Sequence, residues 1–390
     1  MNKRKKVIIA SKYFLFTQED NIRKSAISML EKLKESNIML CIIAREMNHD
    51  YLKSLVEKQL PEQYASMISY IARGKDSVEK VSQSRLGNSI SMLAVVEEDA
   101  TFAFRTKIPI INPIRFLCDA PIDQKVVKYG IDFDCIEDVI RAMNLLDVHY
   151  DNFFEFEEDE KFEIVSVLNG NTGGQPDALR DLFKTNIKDK YGKSQRILNL
   201  IFYYILSETA HNEIFNEVKY WGNFPSSSPR NTNESMIFLK EMLRVTHGGS
   251  RGDDQLLIRI KETPKKHESK KEIRLENKCE KDFETIIVNP NFKKKIKDKV
   301  VCIIDDYTTN GYSSEAAKHL LLEAGAKKVI FLAVGKYGYQ YQSTQYNLVG
   351  NVFKEGTIKY QLMNEEKITS CTKNTSLELR QLEELFEVKK

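Results

Sequence analysis

Two adjacent carboxylates, Asp305 and Asp306, close the uninterrupted apolar run "VVCII" and lead into "YTTNGYS". An aliphatic run with no polar alternation belongs inside a sheet covered on both faces. Thr308, Thr309, Asn310, Gly311, Tyr312 and Ser313 then supply hydroxyls, an amide and one glycine where a helix should begin. A helix N-terminus offers unpaired N–H groups and the positive end of its dipole, which favours a phosphate. Gly311 permits close backbone approach or positive φ, and the hydroxyls add donors. Carboxylates facing that phosphate would repel it. Set a little aside, they accept hydrogen bonds from neutral sugar hydroxyls. The expected chemistry is recognition of a ribose phosphate.

The neighbouring elements must position this turn. In "SSEAAKHLLLEAGA", Ala316, Ala317, Leu320, Leu321 and Ala324 share one helical stripe. Ser313 or Ser314 is expected to cap the helix, Glu315 to suit its dipole and Gly325 to end it. "KKVIFLAV" supplies the next strand of a right-handed βαβ unit, whose ligand site lies beyond the carboxyl ends of the strands.

The stretch resembles the 5-phosphoribosyl 1-diphosphate (PRPP) signature of type I phosphoribosyltransferases, within residues 176–390. Val301 to Ile304 match its hydrophobics, Asp305 and Asp306 its acids, and Thr309, Gly311 and Ser313 its phosphate turn. Tyr307 and Thr308 stand where aliphatics are commoner, and Asn310 replaces a hydroxyl residue. The ComF-like branch is closest, through Arg274 and Asn277 in "EIRLENKCEKDF". The resemblance implies that Asp305 and Asp306 are catalytic through the ribose, and that Thr308 to Ser313 bind PRPP. It implies a pyrophosphate site at Ser226, Ser227, Ser228, Arg230 and Arg274; a Ser/Pro surface turn is the plainer reading of "PSSSPR". Mg²⁺ would arrive with PRPP, touching Asp305 and Asp306 if any protein group, without a dedicated protein cage. A nitrogenous acceptor would displace pyrophosphate through an oxocarbenium-like transition state, which requires positioning and charge neutralisation rather than a nucleophile. The lysine-rich Lys265–Lys281 segment is either an acceptor hood or a solvated loop. "HGGSRGDDQ" is either a flap bearing Arg251 or a plain glycine loop.

Strands alternating with amphipathic helices from Lys6 to Pro113 predict a parallel sheet. "VVEEDATFAFRTKIPIINP" resembles the last conserved part of haloacid dehalogenase-like (HAD-like) phosphatase domains. Their nucleophilic aspartate is missing, because Ser11 and Lys12 follow the first strand. Ala44 ends the second, where Ser or Thr is usual. Glu97, Glu98 and Asp99 could still hold a metal, but without a nucleophile they are expected in a surface turn. The acidic "EFEEDEKFE" is expected to be a solvated boundary. The fold class expected is α/β, with two domains, each a mainly parallel sheet with helices on both faces. They are an inactive HAD-like domain, or an unrelated Rossmann-like one, over 1–118, a connector over 119–175 and a phosphoribosyltransferase domain over 176–390.

With 390 residues, 29% charged and a formal charge of +3, the chain gives no indication of nucleic acid as its main partner. Six scattered cysteines fit neither a zinc site nor a disulfide framework, and the histidines form no HExxH. His319, inside the helix after the turn, reads as structural. The apolar start is interrupted by Lys12, and "ILNLIFYYIL" is too short to span a bilayer. A cytoplasmic protein without membrane contact is expected. A homodimer, or a protein partner on the N-terminal domain, stays open. So does a second function, a non-catalytic sensor of PRPP or another nucleotide.

Overall fold

The computed structural model describes residues 4–145, 152–170, 193–230, 233–252, 254–263 and 278–369. They form two compact units: Met1–His149, Arg196–Phe215 and Val245–Gly248, then Tyr150–Gln195, Asn216–Arg244 and Gly249–Lys390. The stretch read as a connector is thus divided between the units.

The first unit holds a six-stranded parallel sheet flanked by helices. Its strands are β1 (Lys6–Ala10), β2 (Ile38–Ala44), β3 (Ile68–Ala72), β4 (Ser89–Leu93), β5 (Ile110–Asn112) and β6 (Ile131–Asp132). They lie in the order β3-β2-β1-β4-β5-β6, so the chain runs outward one way from β1 and returns to build the other half. Besides a four-residue helix at Glu62–Ala65, the helices are α1 (Ala26–Glu35), α2 (His49–Gln59), α3 (Lys75–Ser84), α4 (Glu97–Thr106), α5 (Gln124–Tyr129), α6 (Ile136–Leu145) and α7 (Lys193–His211), the last in this unit from Arg196 on. Strands β3 and β6 escape the sequence reading: "ISYIA" is half polar and β6 has two residues. Helix α7 contains the apolar "ILNLIFYYIL", buried from Ile197 to Leu206. No helix among the described residues is long and apolar enough to cross a membrane.

The second unit is built on a mixed sheet ordered β7-β8-β13-β12-β9. Its strands are β7 (Phe154–Glu158), β8 (Phe162–Asn169), β9 (Val218–Asn223), β12 (Val300–Thr308) and β13 (Lys328–Lys336). β8, β13, β12 and β9 are parallel, and β7 is an antiparallel edge. The acids of "EFEEDEKFE" at 155, 157, 159 and 160 are exposed as expected, but the stretch is an ordered edge hairpin rather than a bare boundary. Phe154, Phe162 and Ile164 face the core with the acids between them, and Asp159 and Glu160 make the turn at φ 50° and 55°. "QLLIRI" and "FETIIVNP" do not join this sheet. They form a separate antiparallel pair, β10 (Leu257–Arg259) and β11 (Ile286–Val288). A further hairpin, β14 (Tyr341–Val349) with β15 (Lys359–Ile368), also escapes the sequence reading, because its alternation is mostly polar. Helices α8 (Glu234–Thr246), α9 (Glu280–Thr285) and α10 (Tyr312–Glu323) also lie in this part of the chain.

Candidate functional site

Strand β12 runs four residues beyond the apolar run. On one side it stays paired with β13 as far as Thr308↔Lys336. On the other, the β9 ladder ends at Ile304↔Asn223, with the Phe224 amide donating to the Ile304 carbonyl at 2.8 Å. Asp305 and Asp306 thus lie inside the strand, on the part that has outrun β9. Both are half-buried. Asp305 Oδ1 accepts from the Asp306 amide at 3.0 Å, and Asp306 Oδ1 from the Tyr307 amide at 2.7 Å.

The following turn is shorter than expected. Thr308 is a buried strand residue and Tyr312 already begins α10, which leaves Thr309, Asn310 and Gly311. Gly311 is the N-cap, at φ 90°, so neither Ser313 nor Ser314 caps the helix. Ser314 Oγ instead donates to the Gly311 carbonyl at 2.7 Å from within the first turn. A Cβ on Gly311 would stand 2.2 Å from the Tyr341 ring, so glycine is required by space as well as by φ. Successive carbonyls are tied away from the turn. Thr308 O accepts from the Tyr337 amide, Thr309 O from Lys336 Nζ at 2.5 Å, and Asn310 O from the Gln342 amide at 2.9 Å. Lys336 is fully buried and also donates to Gln340 O at 2.7 Å. The first amides of α10 have no partner inside the helix, the helix end that favours negative charge.

Behind the turn, Glu315 lies in the first turn of α10, as its dipole favours, and is wholly buried. Its carboxylate meets the Tyr341 hydroxyl, Lys318 Nζ at 2.5 Å and the amide and hydroxyl of Thr344, each at 2.8 Å. Burial pushes its carboxyl above the usual range, against the opposing pull of Lys318. Tyr312 Oη donates to Glu365 at 2.9 Å. His319 Nε2 lies 3.0 Å from Thr344 O beside Phe283 and Tyr346, and burial lowers its pKa to about 3. Its role is packing.

β9 and β12 are adjacent and parallel, so the loops that follow them leave the same sheet edge. Ser226, Ser227 and Ser228 are half-buried, and Arg230 is exposed. Ser226 Oγ donates to Ser228 O at 2.8 Å, a local turn. Arg259, which sequence reasoning missed, reaches this loop from β10. The only prior signal was a charged residue inside an apolar run. Arg274 and most of Lys265–Lys281 lie outside the described residues. In "HGGSRGDDQ", a Cβ on Gly249 would meet the Trp221 ring at 2.6 Å, so this glycine packs a turn; Arg251 is exposed. Among the described residues, no three or more His, Cys, Asp or Glu cluster to hold a metal.

In the first unit, Ser11 follows β1 and Asp99 lies in α4 just after β4. Asp99 is not in a surface turn but fully buried. Its Oδ2 accepts from the Val95 and Val96 amides at 3.0 and 3.2 Å, and its Oδ1 pairs with Arg73. Burial raises its pKa against the pull of Arg73 and those amides. The two amides just before α4, Val95 and its N-cap Val96, are thereby occupied by the chain's own acid.

Comparison of the chain with protein-family models, with curated proteins and with solved structures gave no match.

Proposed function

We propose that the second unit is a PRPP-dependent phosphoribosyltransferase of type I, acting on a nitrogenous acceptor and releasing pyrophosphate. The observation that carries this reading is the adjacency of β9 and β12, which sends the Ser226–Arg230 loop and the Asp305–Ser313 turn off one sheet edge. Asp305 and Asp306 orient the ribose hydroxyls, while Thr309, Asn310, Gly311 and Ser313 hold its phosphate through hydroxyl, amide and backbone donors. Ser226, Ser227, Ser228 and Arg230 take the diphosphate.

The donor set fits Mg²⁺ carried by the substrate: the two half-buried carboxylates match an ion that keeps phosphate and water as its other ligands. Bound there, the ion would neutralise charge on the departing diphosphate. The protein's own part is to fix the sugar, exclude alternative orientations and present donors where negative charge develops.

The first unit is read as a Rossmann-like or HAD-like domain without phosphatase chemistry, since Ser11 and Lys12 follow β1 and Asp99 is internally paired. The internal pairing of Asp99 favours a second reading, a PRPP-binding sensor whose first unit receives a protein partner. A cytoplasmic location fits either reading.

Calorimetric titration of the intact chain with Mg²⁺–PRPP tests both. Binding with pyrophosphate release on addition of a nitrogenous base supports the transferase. Binding without turnover across a panel of bases supports the sensor, and no binding to folded protein removes both.

A further inference from the structure

Resting on the PRPP reading, we infer that Arg259 is a positioning residue of the diphosphate loop, turning the loop's carbonyls inward so that its amides face the ligand. Arg259 is 5% exposed. Its Nε donates to Ser226 O at 3.0 Å and its Nη2 to Pro225 O at 3.4 Å. The next carbonyl, Ser227 O, accepts from the Thr263 amide at 2.8 Å, and Ser228 O from Ser226 Oγ. Four consecutive carbonyls are thus engaged on the protein side. Among the described residues, the amides of Ser227 and Ser228 have no protein acceptor. A peptide unit whose oxygen is drawn one way points its N–H the other, so this pattern makes a donor-lined, anion-binding strip.

The guanidinium is itself held. Nη1 donates to Asp282 Oδ1 at 3.0 Å and to Thr285 Oγ1 at 2.6 Å, both residues being in α9. Asp282 is buried, so the pair is desolvated and fixed in direction. Lysine cannot reproduce this. Its single ammonium has no rigid fork to reach two loop carbonyls and the α9 groups at once. Arg259 does not touch the ligand, and its effect is confined to the diphosphate end.

The test is calorimetry of the full chain and of Arg259→Lys against Mg²⁺–pyrophosphate and, separately, ribose 5-phosphate. Thermal unfolding is recorded for each protein. The expected result is a roughly ten-fold loss of pyrophosphate affinity with ribose 5-phosphate binding unchanged. Equal weakening of both ligands, or of neither, overturns the inference. If Arg259→Lys does not fold, Thr285→Val decides. It removes one hydrogen bond from the guanidinium without unpairing Asp282, and should weaken pyrophosphate alone, by about three-fold. A parent chain that binds neither ligand overturns the PRPP reading and this inference with it. A parent that binds both, beside variants showing no selective loss, overturns this inference alone.

Discussion

The carboxyl edges of the two sheets carry similar residue types in different settings. In the first unit Asp99 is buried, reaches back from the first turn of α4 to the Val95 and Val96 amides and is paired with Arg73, so the acid is bound by the chain itself. In the second unit Asp305 and Asp306 stand on a strand that has outrun β9, and the adjoining loops have their carbonyls tied back by Arg259, Thr263, Lys336 and Gln342. A buried polar group must be paired, and whatever pairs it decides whether a ligand can. Closing the set internally makes a structural feature. On the proposed reading, engaging the backbone acceptors leaves a recognition surface.

The comparison breaks most sharply at the acids. Asp305→Asn with Asp306→Asn should weaken Mg²⁺–PRPP binding at least about 100-fold, from two lost charge-assisted interactions, while thermal unfolding stays near the parent's. Retained affinity in calorimetry would end the sugar-binding role. Asp99→Ala should do the reverse. Removing one partner of a buried pair is expected to destabilise by about 3–5 kcal/mol, read by denaturant unfolding, with PRPP affinity unchanged in the folded protein. A large affinity loss there would show that the edge of the first unit serves the ligand.

Gly311→Ala tests whether the turn is as constrained as the Tyr341 ring implies. Positive φ together with the close ring predicts a loss of about 3 kcal/mol in stability. A near-neutral variant would mean that the ring yields.

The smallest effect is one of pH, and it sets one histidine from each unit side by side. Burial depresses both His247 and His319 from 6.5 to about 3. Between those values the unfolded chain binds more protons than the folded one. The stability is therefore complete above pH 6.5 and is lost as pH falls toward 3. At pH 5 each histidine should have lowered stability by about 2 kcal/mol relative to pH 7. His247→Gln and His319→Gln should each flatten this dependence between pH 7 and 5; an unchanged slope in both would place the acid sensitivity elsewhere.

Sequence alone determined the local pieces whose signal is local. The unbroken "VVCII" run, the alanine–leucine stripe of α10 and the glycine after it specify strand, helix and stop through side-chain period and φ preference. The same logic located Asp305, Asp306 and Gly311. Only the tertiary structure decided what each polar group is paired with. It made Asp99 internal and divided 119–175 between two units. It turned "EFEEDEKFE" into an edge hairpin, because phenylalanines two apart found a hydrophobic face. It also brought Arg259 from β10 to the Ser226 carbonyl, 33 residues earlier in the chain. Such pairings join residues distant in sequence, and their energy comes from desolvation and hydrogen-bond geometry, quantities that exist only once the chain has folded.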